Sequence, residues 1–334
     1  MSGRLIKDEE IERKLHNLVS EQPFIIKGYL KSFGNKTFAT KSVYMNHVIN
    51  FCNYLKTNFN IDMSNIDNIK NINYSHITTY MDYIKCYSPD GSYKKKEAIS
   101  CATTFYAIKH FCKYLKLCRY IDYNPCDEIE VPKDKKVHEI VSLTSSEIKR
   151  IKNNINRGVG TSKAKATQEK WKNRDLCIIL LGITTGLRVS AITNIDLHDI
   201  DYQKKTIKTI EKGSYEREVF LSDKMIECIN DWLQDRQRIL KDNNCDALFV
   251  SAERKRISTS AIRHILNKYT YNIDKNITPH KLRSTAATNL YDATGDIYLV
   301  ADVLGHQNIQ NTKRYAKVSD SRKEFAAQTL SKLI

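Results

Sequence analysis

Two arginines in this chain stand beside apolar sequence with no acidic residue near enough to pair with them locally. Arg188 lies in TTGLRVSA, and residues 184–192 contain no Asp or Glu; Arg283 lies in TPHKLR, with no acidic residue between Pro279 and Ala287. An arginine next to a core rarely goes unpaired, so each predicts either a distant carboxylate or a bound anion such as a phosphate. His280 precedes Arg283 by three residues, and both follow Pro279, which suits a helix's first turn. Their side chains then share one face near a helix start, the end that attracts anions. His306, in LeuGlyHis, is followed nine residues later by Tyr315. At about 100° per residue, one continuous helix would set these two on opposite faces, so a shared site requires a break. Gly305 and the polar pair Gln307-Asn308 supply one. Taken singly, blander roles compete: a structural histidine for His280, a contact with Asp302 for His306, and a half-buried aromatic for Tyr315, one of 19 tyrosines.

The elements that must position these residues are mostly helical. Ser42–Lys56 and Ile99–Leu117 repeat apolar residues at three- and four-residue spacing, the mark of amphipathic helices, and Tyr74–Lys85 is a shorter candidate. Asn124-Pro125 stops the pattern, and the polar, charged stretch Val131–Glu139 (VPKDKKVHE) reads as a linker between domains. Thr144 followed by Glu147 is a capping-box signal, and Arg174–Leu187 reads as a largely buried helix. Thr206–Ile210 and Arg217–Leu221 flank Lys212-Gly213-Ser214, a small hairpin. The expected fold is therefore mainly α, with a small antiparallel β hairpin in the second of two domains. Gly158–Lys163 does not follow the order of a phosphate loop and no apolar strand precedes it, so ATP binding is set aside.

Composition narrows the partner. The 334 residues carry 54 Lys+Arg against 38 Asp+Glu, a net charge of +16 of which +4 falls in residues 1–130 and +12 in residues 131–334. That surplus favours a polyanion, with nucleic acid ahead of an anionic membrane surface. Nine cysteines without a CxxC pair or a His/Cys cluster argue against a disulfide framework and a structural zinc site. The start mixes both charges, and the longest apolar run, Cys177–Gly182, is far below membrane-spanning length. A soluble, unsecreted, cytoplasmic protein is expected.

In order, the set Arg188, Lys212, His280, Arg283, His306 and Tyr315 resembles the active-site signature of the tyrosine recombinase (phage integrase) family. The resemblance rests on TGLR, the Lys-Gly of a basic hairpin, ProHisxLeuArg, LeuGlyHis and a Thr-x-x-Tyr, and it spans roughly residues 141–320. The first part is similar to the family's helical core-binding domain, including its ending TyrIleAspTyrAsnPro. Two positions depart from the family pattern: Ala191 replaces the usual acidic residue three after the first arginine, and Ser284 stands where a His often follows the second.

What the resemblance implies is a two-domain DNA clamp. Residues 1–20 would be an N-terminal extension, 21–130 the core-binding domain, 131–140 the linker, 141–320 the catalytic domain, and 321–334 a tail helix docking on a neighbouring protomer. Tyr315 would attack a DNA phosphodiester to give a 3′-phosphotyrosyl link. His280 would act as general base, Lys212 would protonate the departing 5′-oxygen, Arg188 and Arg283 would hold the nonbridging oxygens, and His306 would donate a further hydrogen bond. No metal or other cofactor is expected. The expected partners are double-stranded DNA carrying short inverted-repeat sites, three further copies of the chain in a tetramer, and accessory DNA-bending proteins, with no membrane; bound to DNA the protein would associate with the nucleoid. Integration and excision of a mobile element is the expected role. Resolution of replicon dimers, topoisomerase-like relaxation of supercoils and noncatalytic DNA binding are the alternatives.

Overall fold

The computed structural model describes residues 3–88, 91–93, 95, 97–131, 140–210, 216–241, 244–306, 308–315 and 327–331. The chain divides into two compact units, Gly3–Val137 and His138–Ile334. Among the described residues no helix is long and apolar enough to cross a membrane. All nine cysteines are free thiols.

The first unit is helical: α1 (Gly3–Ser20), α2 (Phe24–Lys31), α3 (Phe38–Phe59), α4 (Ile66–Ile69), α5 (Tyr74–Cys86) and α6 (Ala98–Leu117). Helix α3 buries Met45, Val48, Ile49, Cys52 and Leu55, and α6 buries Cys101, Phe105, Ile108, Phe111, Cys112 and Leu115. This three- and four-residue spacing lays one apolar stripe along each helix, and the two helices pack together. Tyr29 of α2 closes the core edge-on against Phe111, and its hydroxyl lies 2.9 Å from His110 Nδ1, so the buried phenol keeps a partner. Residues 3–20 form α1, which packs against α3 and buries Leu15 and Val19.

The second unit is built around α9 (Lys172–Thr185), which contacts α7 (Ser145–Arg157), α10 (Val189–Asn194), α11 (Asp223–Leu240), α12 (Thr259–Tyr269) and α13 (Pro279–Thr294). A helix surrounded on all sides must be apolar all round. Consecutive burial of Cys177, Ile178 and Ile179, then of Leu181, Gly182 and Ile183, is that pattern. Its polar entrance is satisfied internally: Asp175, fully buried, accepts from Arg174, from Lys268 Nζ at 3.0 Å and from the Tyr269 hydroxyl at 3.1 Å. The Thr144–Glu147 capping box opens α7 as expected.

A three-stranded antiparallel sheet sits beside these helices, in the order β1 (Ile200–Asp201), β2 (Thr206–Ile210), β3 (Glu216–Phe220). Ile207 pairs with Val219 and with Ile200, so one face is apolar and buried. The hairpin is therefore present with an added edge strand, β1, too short to be read from two residues of sequence. A further helix, α8 (Ser162–Glu169), capped by the Thr161 side chain, occupies the basic stretch after Asn156, where no element was expected. It buries none of its residues, so no apolar periodicity announces it. Short helices α14 (Ile297–Leu304) and α15 (Gln310–Lys313) close the unit, and residues 327–331 are helical and exposed. Most of the expected linker and of the expected tail falls outside the described residues.

Candidate active site

The site is assembled from three turns. The first ends α9 at Gly186, whose φ of 64° is left-handed; a Cβ there would stand 2.6 Å from Leu304 Cδ2, so glycine is required by both conformation and space. Arg188 follows two residues later as the residue capping α10. The second element is α13, with Pro279 in its first turn, which places His280 at the helix start and Arg283 one turn along. The third is the end of α14, where Gly305, again left-handed, releases the chain into His306, and α15 then delivers Tyr315. The break demanded by the nine-residue spacing is thus this glycine and the turn after it.

Arg283 ties the three together. It is 1% exposed, and its guanidinium donates through Nη1 to the Gly186 carbonyl at 2.8 Å and through Nη2 to the Leu304 carbonyl at 2.6 Å. One side chain therefore fixes the turn before Arg188 to the turn before His306. Two donors are spent on carbonyls; a guanidinium carries five N–H groups, so others remain to be used. His306 Nδ1 lies 2.7 Å from the Thr312 hydroxyl, which orients the ring and leaves Nε2 as its other hydrogen-bonding atom. The His306 and Tyr315 rings are nearly parallel, with centroids 6.4 Å apart and an interplanar angle of 12°. Tyr315 is 4% exposed and belongs to an apolar cluster with Ala287, Tyr291, Val300 and Leu304, while Arg314 stands 5.5 Å over its ring.

Electrostatics follow from crowding cations around these rings. Burial first, then Arg188, pulls the Arg283 guanidinium down to about 9, so it remains charged at neutral pH. Burial and the nearby Arg217 lower Arg188, while Tyr315 opposes that shift. His306 is pulled down to about 4 by burial and then by Arg283, Arg188 and Arg314. His280 keeps solvent contact, yet desolvation by its neighbours leads the lowering of its pKa, with Arg314 and Arg283 adding to it. Both imidazoles are consequently neutral at pH 7, able to accept or donate a proton, inside a field that favours an anion.

Five of the six residues singled out in the sequence, Arg188, His280, Arg283, His306 and Tyr315, lie close enough to act on one another's charge. Lys212 lies outside the described residues. His306 meets Thr312 and not the Asp302 of its blander reading, and Tyr315 is buried, more deeply than the half-buried aromatic of its own. Ala191 and Ser284 are both buried, in α10 and α13. Sequence reasoning missed Arg217. Between two glutamates on a strand it reads as a solvated charge, and only the fold brings it to Arg188 and to the end of α14.

Elsewhere in the unit, Asp196, His198 and Asp199 bring ligand atoms within 4.8 Å of one another. These carboxylates already have structural work: Asp196 accepts from Arg256, and Asp199 accepts from the Asp196 amide at 2.8 Å.

The model of the phage integrase family matches residues 141–322. The chain is 32% identical over 270 residues to the tyrosine recombinase XerC of Caldanaerobacter subterraneus subsp. tengcongensis, covering 78% of this chain and 70% of that one. It is 33% identical over 174 residues to the tyrosine recombinase XerS of Streptococcus uberis, spanning 51% of this chain and about half, 49%, of that protein. Among solved structures, the XerH site-specific recombinase bound to palindromic difH substrate superposes with a TM-score of 0.68 at 19% identity, covering 97% of this chain and 90% of that one, a likeness of fold. With the family model covering more than half of its length and a relative at this identity along most of it, the chain belongs to the phage integrase, or tyrosine recombinase, family.

Proposed function

We propose that this protein is a site-specific DNA strand-exchange enzyme that cleaves and rejoins duplex DNA through a 3′-phosphotyrosyl intermediate. The observation that carries this is the gathering of Arg188 and Arg283 with two neutral imidazoles around one tyrosine near the end of the chain. Planar guanidinium forks, charged at neutral pH, suit the nonbridging oxygens of a phosphodiester and stabilise the charge that grows there as the phosphorus is attacked. Tyr315 Oη forms the new bond to phosphorus as the bond to the 5′-oxygen breaks. The phenol must lose its proton during attack, and neutral His280 receives it. Lys212 gives a proton to the departing 5′-oxygen, and His306 donates from Nε2 to the phosphate. Rejoining is the reverse, with a 5′-hydroxyl attacking the phosphotyrosine, so the bond energy is conserved.

Residues 21–130 serve as the core-binding domain and residues 141–320 as the catalytic domain, gripping duplex DNA largely through phosphates. Four protomers act on two short inverted-repeat sites, with the tail of each docking on its neighbour. The role is movement of a mobile element where paired attachment repeats flank the gene, and dimer resolution where the substrate is a replicon's own recombination site.

The test is a nicked duplex whose short released strand diffuses away and traps the adduct. The wild-type protein should become covalently linked to DNA, and Tyr315→Phe should not. An adduct that persists in Tyr315→Phe removes this residue as nucleophile, and supercoil relaxation without sequence preference would turn the reading towards a topoisomerase.

A further inference from the structure

The end of α14 is capped by arginines from two distant elements. A helix leaves its last four carbonyls without partners inside the helix, and its C-terminal end is negative. In α14 these carbonyls belong to Ala301, Asp302, Val303 and Leu304. Ala301 accepts from the His306 amide at 2.9 Å, and Asp302 from the Gly305 amide at 2.8 Å. Leu304 accepts from Arg283. Arg217, from β3, donates through Nη1 to Asp302 at 3.0 Å and to Val303 at 2.8 Å. Gly305 stands so close that a Cβ on it would be 2.8 Å from that same Nη1. A partly buried cation, two helix-end carbonyls and a glycine with no room for a side chain therefore interlock one residue before His306.

We propose that Arg217 is a positioning residue that fixes the Gly305–His306 turn and couples it to strand β3. It rests on the role proposed above for His306. The arm of the guanidinium spans from the sheet to the helix end, so a displacement of β3 is transmitted to the turn through two hydrogen bonds. Arg217 acts through this turn and need not touch the substrate.

The position of His306 can be read without any cleavage, by following its imidazole resonances against pH in the DNA-free protein. Burial leads the depression of this ring and the charges of Arg283, Arg188, Arg314 and His280 add to it, with Arg217 not among them, so a shift on changing Arg217 reports a change in where the ring sits. In Arg217→Ala the titration midpoint of His306 should rise by more than one pH unit towards the ordinary value of about 6.5. Arg217→Lys, which keeps a donor for the carbonyls, should lie between Arg217→Ala and wild type. Gly305→Ala, which attacks the same contact from the other side, should raise the midpoint as well, and it serves if Arg217→Ala does not fold. A midpoint unmoved in a folded Arg217→Ala protein, or in Gly305→Ala, overturns the proposal. On the nicked duplex, adduct formation should slow at least tenfold in Arg217→Ala and recover in part in Arg217→Lys. Loss of the proposed function would instead appear as no adduct in the wild type, with the His306 shift intact.

Discussion

The lowered pKa values of the two histidines make a sharp statement about pH. His280 is depressed below its ordinary value of about 6.5, chiefly by desolvation and then by Arg314 and Arg283, so as the pH falls it stays unprotonated longer than a free imidazole would. Protonation would remove the proposed base, so the acid limb of adduct formation should lie at lower pH than an ordinary imidazole would give. His280→Asn should be slower by about 10²–10⁴, the usual worth of general acid–base help, and its rate should lose that acid limb. Single-turnover rates between pH 5 and 8 measure both, and an acid limb unchanged in His280→Asn would take the base role away from this residue. Arg283 calls for a different expectation, because two of its donors are spent on the carbonyls of Gly186 and Leu304. Removing it would disturb the frame as well as the charge, so its loss cannot be read as a measure of phosphate binding alone.

At the scale of elements, the site depends on how α9, α13 and α14 end and meet. Gly186 is the tightest of these joints: it is left-handed, it faces Leu304 and Ala286, and its carbonyl holds Arg283. Gly186→Ala should cost about 2–4 kcal/mol in urea unfolding, from a side chain in a left-handed conformation added to overpacking against Leu304. A variant as stable as wild type would mean that α14 can move away from α9 freely, and the joint would then have no role in holding the turn. Much of this layer was legible in the sequence. The stripes of α3 and α6, the capping box at Thr144 and the hairpin strands follow local rules that need no partner to be recognised. Helix α8 and strand β1 were not legible, the one because it buries nothing, the other because two residues carry no period.

The whole molecule is a strong cation, and three quarters of its +16 surplus lies in residues 131–334. Phosphate contacts release counterions, so a protein making six to ten of them loses about 10³–10⁵ in affinity between 50 and 200 mM salt. Binding of a duplex should show that dependence, measured by fluorescence anisotropy over a salt series, and a flat response would contradict a grip based on phosphates. The same titration on the two halves of the chain would divide the slope between them, with the larger share expected from the second half on its charge alone.

The sequence by itself determined the helical character and the positions of the principal stripes, because periodicity and capping are properties of the chain read locally; the six candidate residues were named by their resemblance to a family signature. It also required a break between His306 and Tyr315, since nine helical steps cannot serve one face. Only the tertiary structure decided that Thr312, and not Asp302, holds His306, that Arg283 is anchored on carbonyls, and that Arg217 reaches the end of α14. Those choices depend on which backbone groups a folded neighbour leaves without partners. No spacing in the chain records that, because Arg217 and its α14 carbonyls are 85 and 86 residues apart and Arg283 and the Gly186 carbonyl are 97 apart.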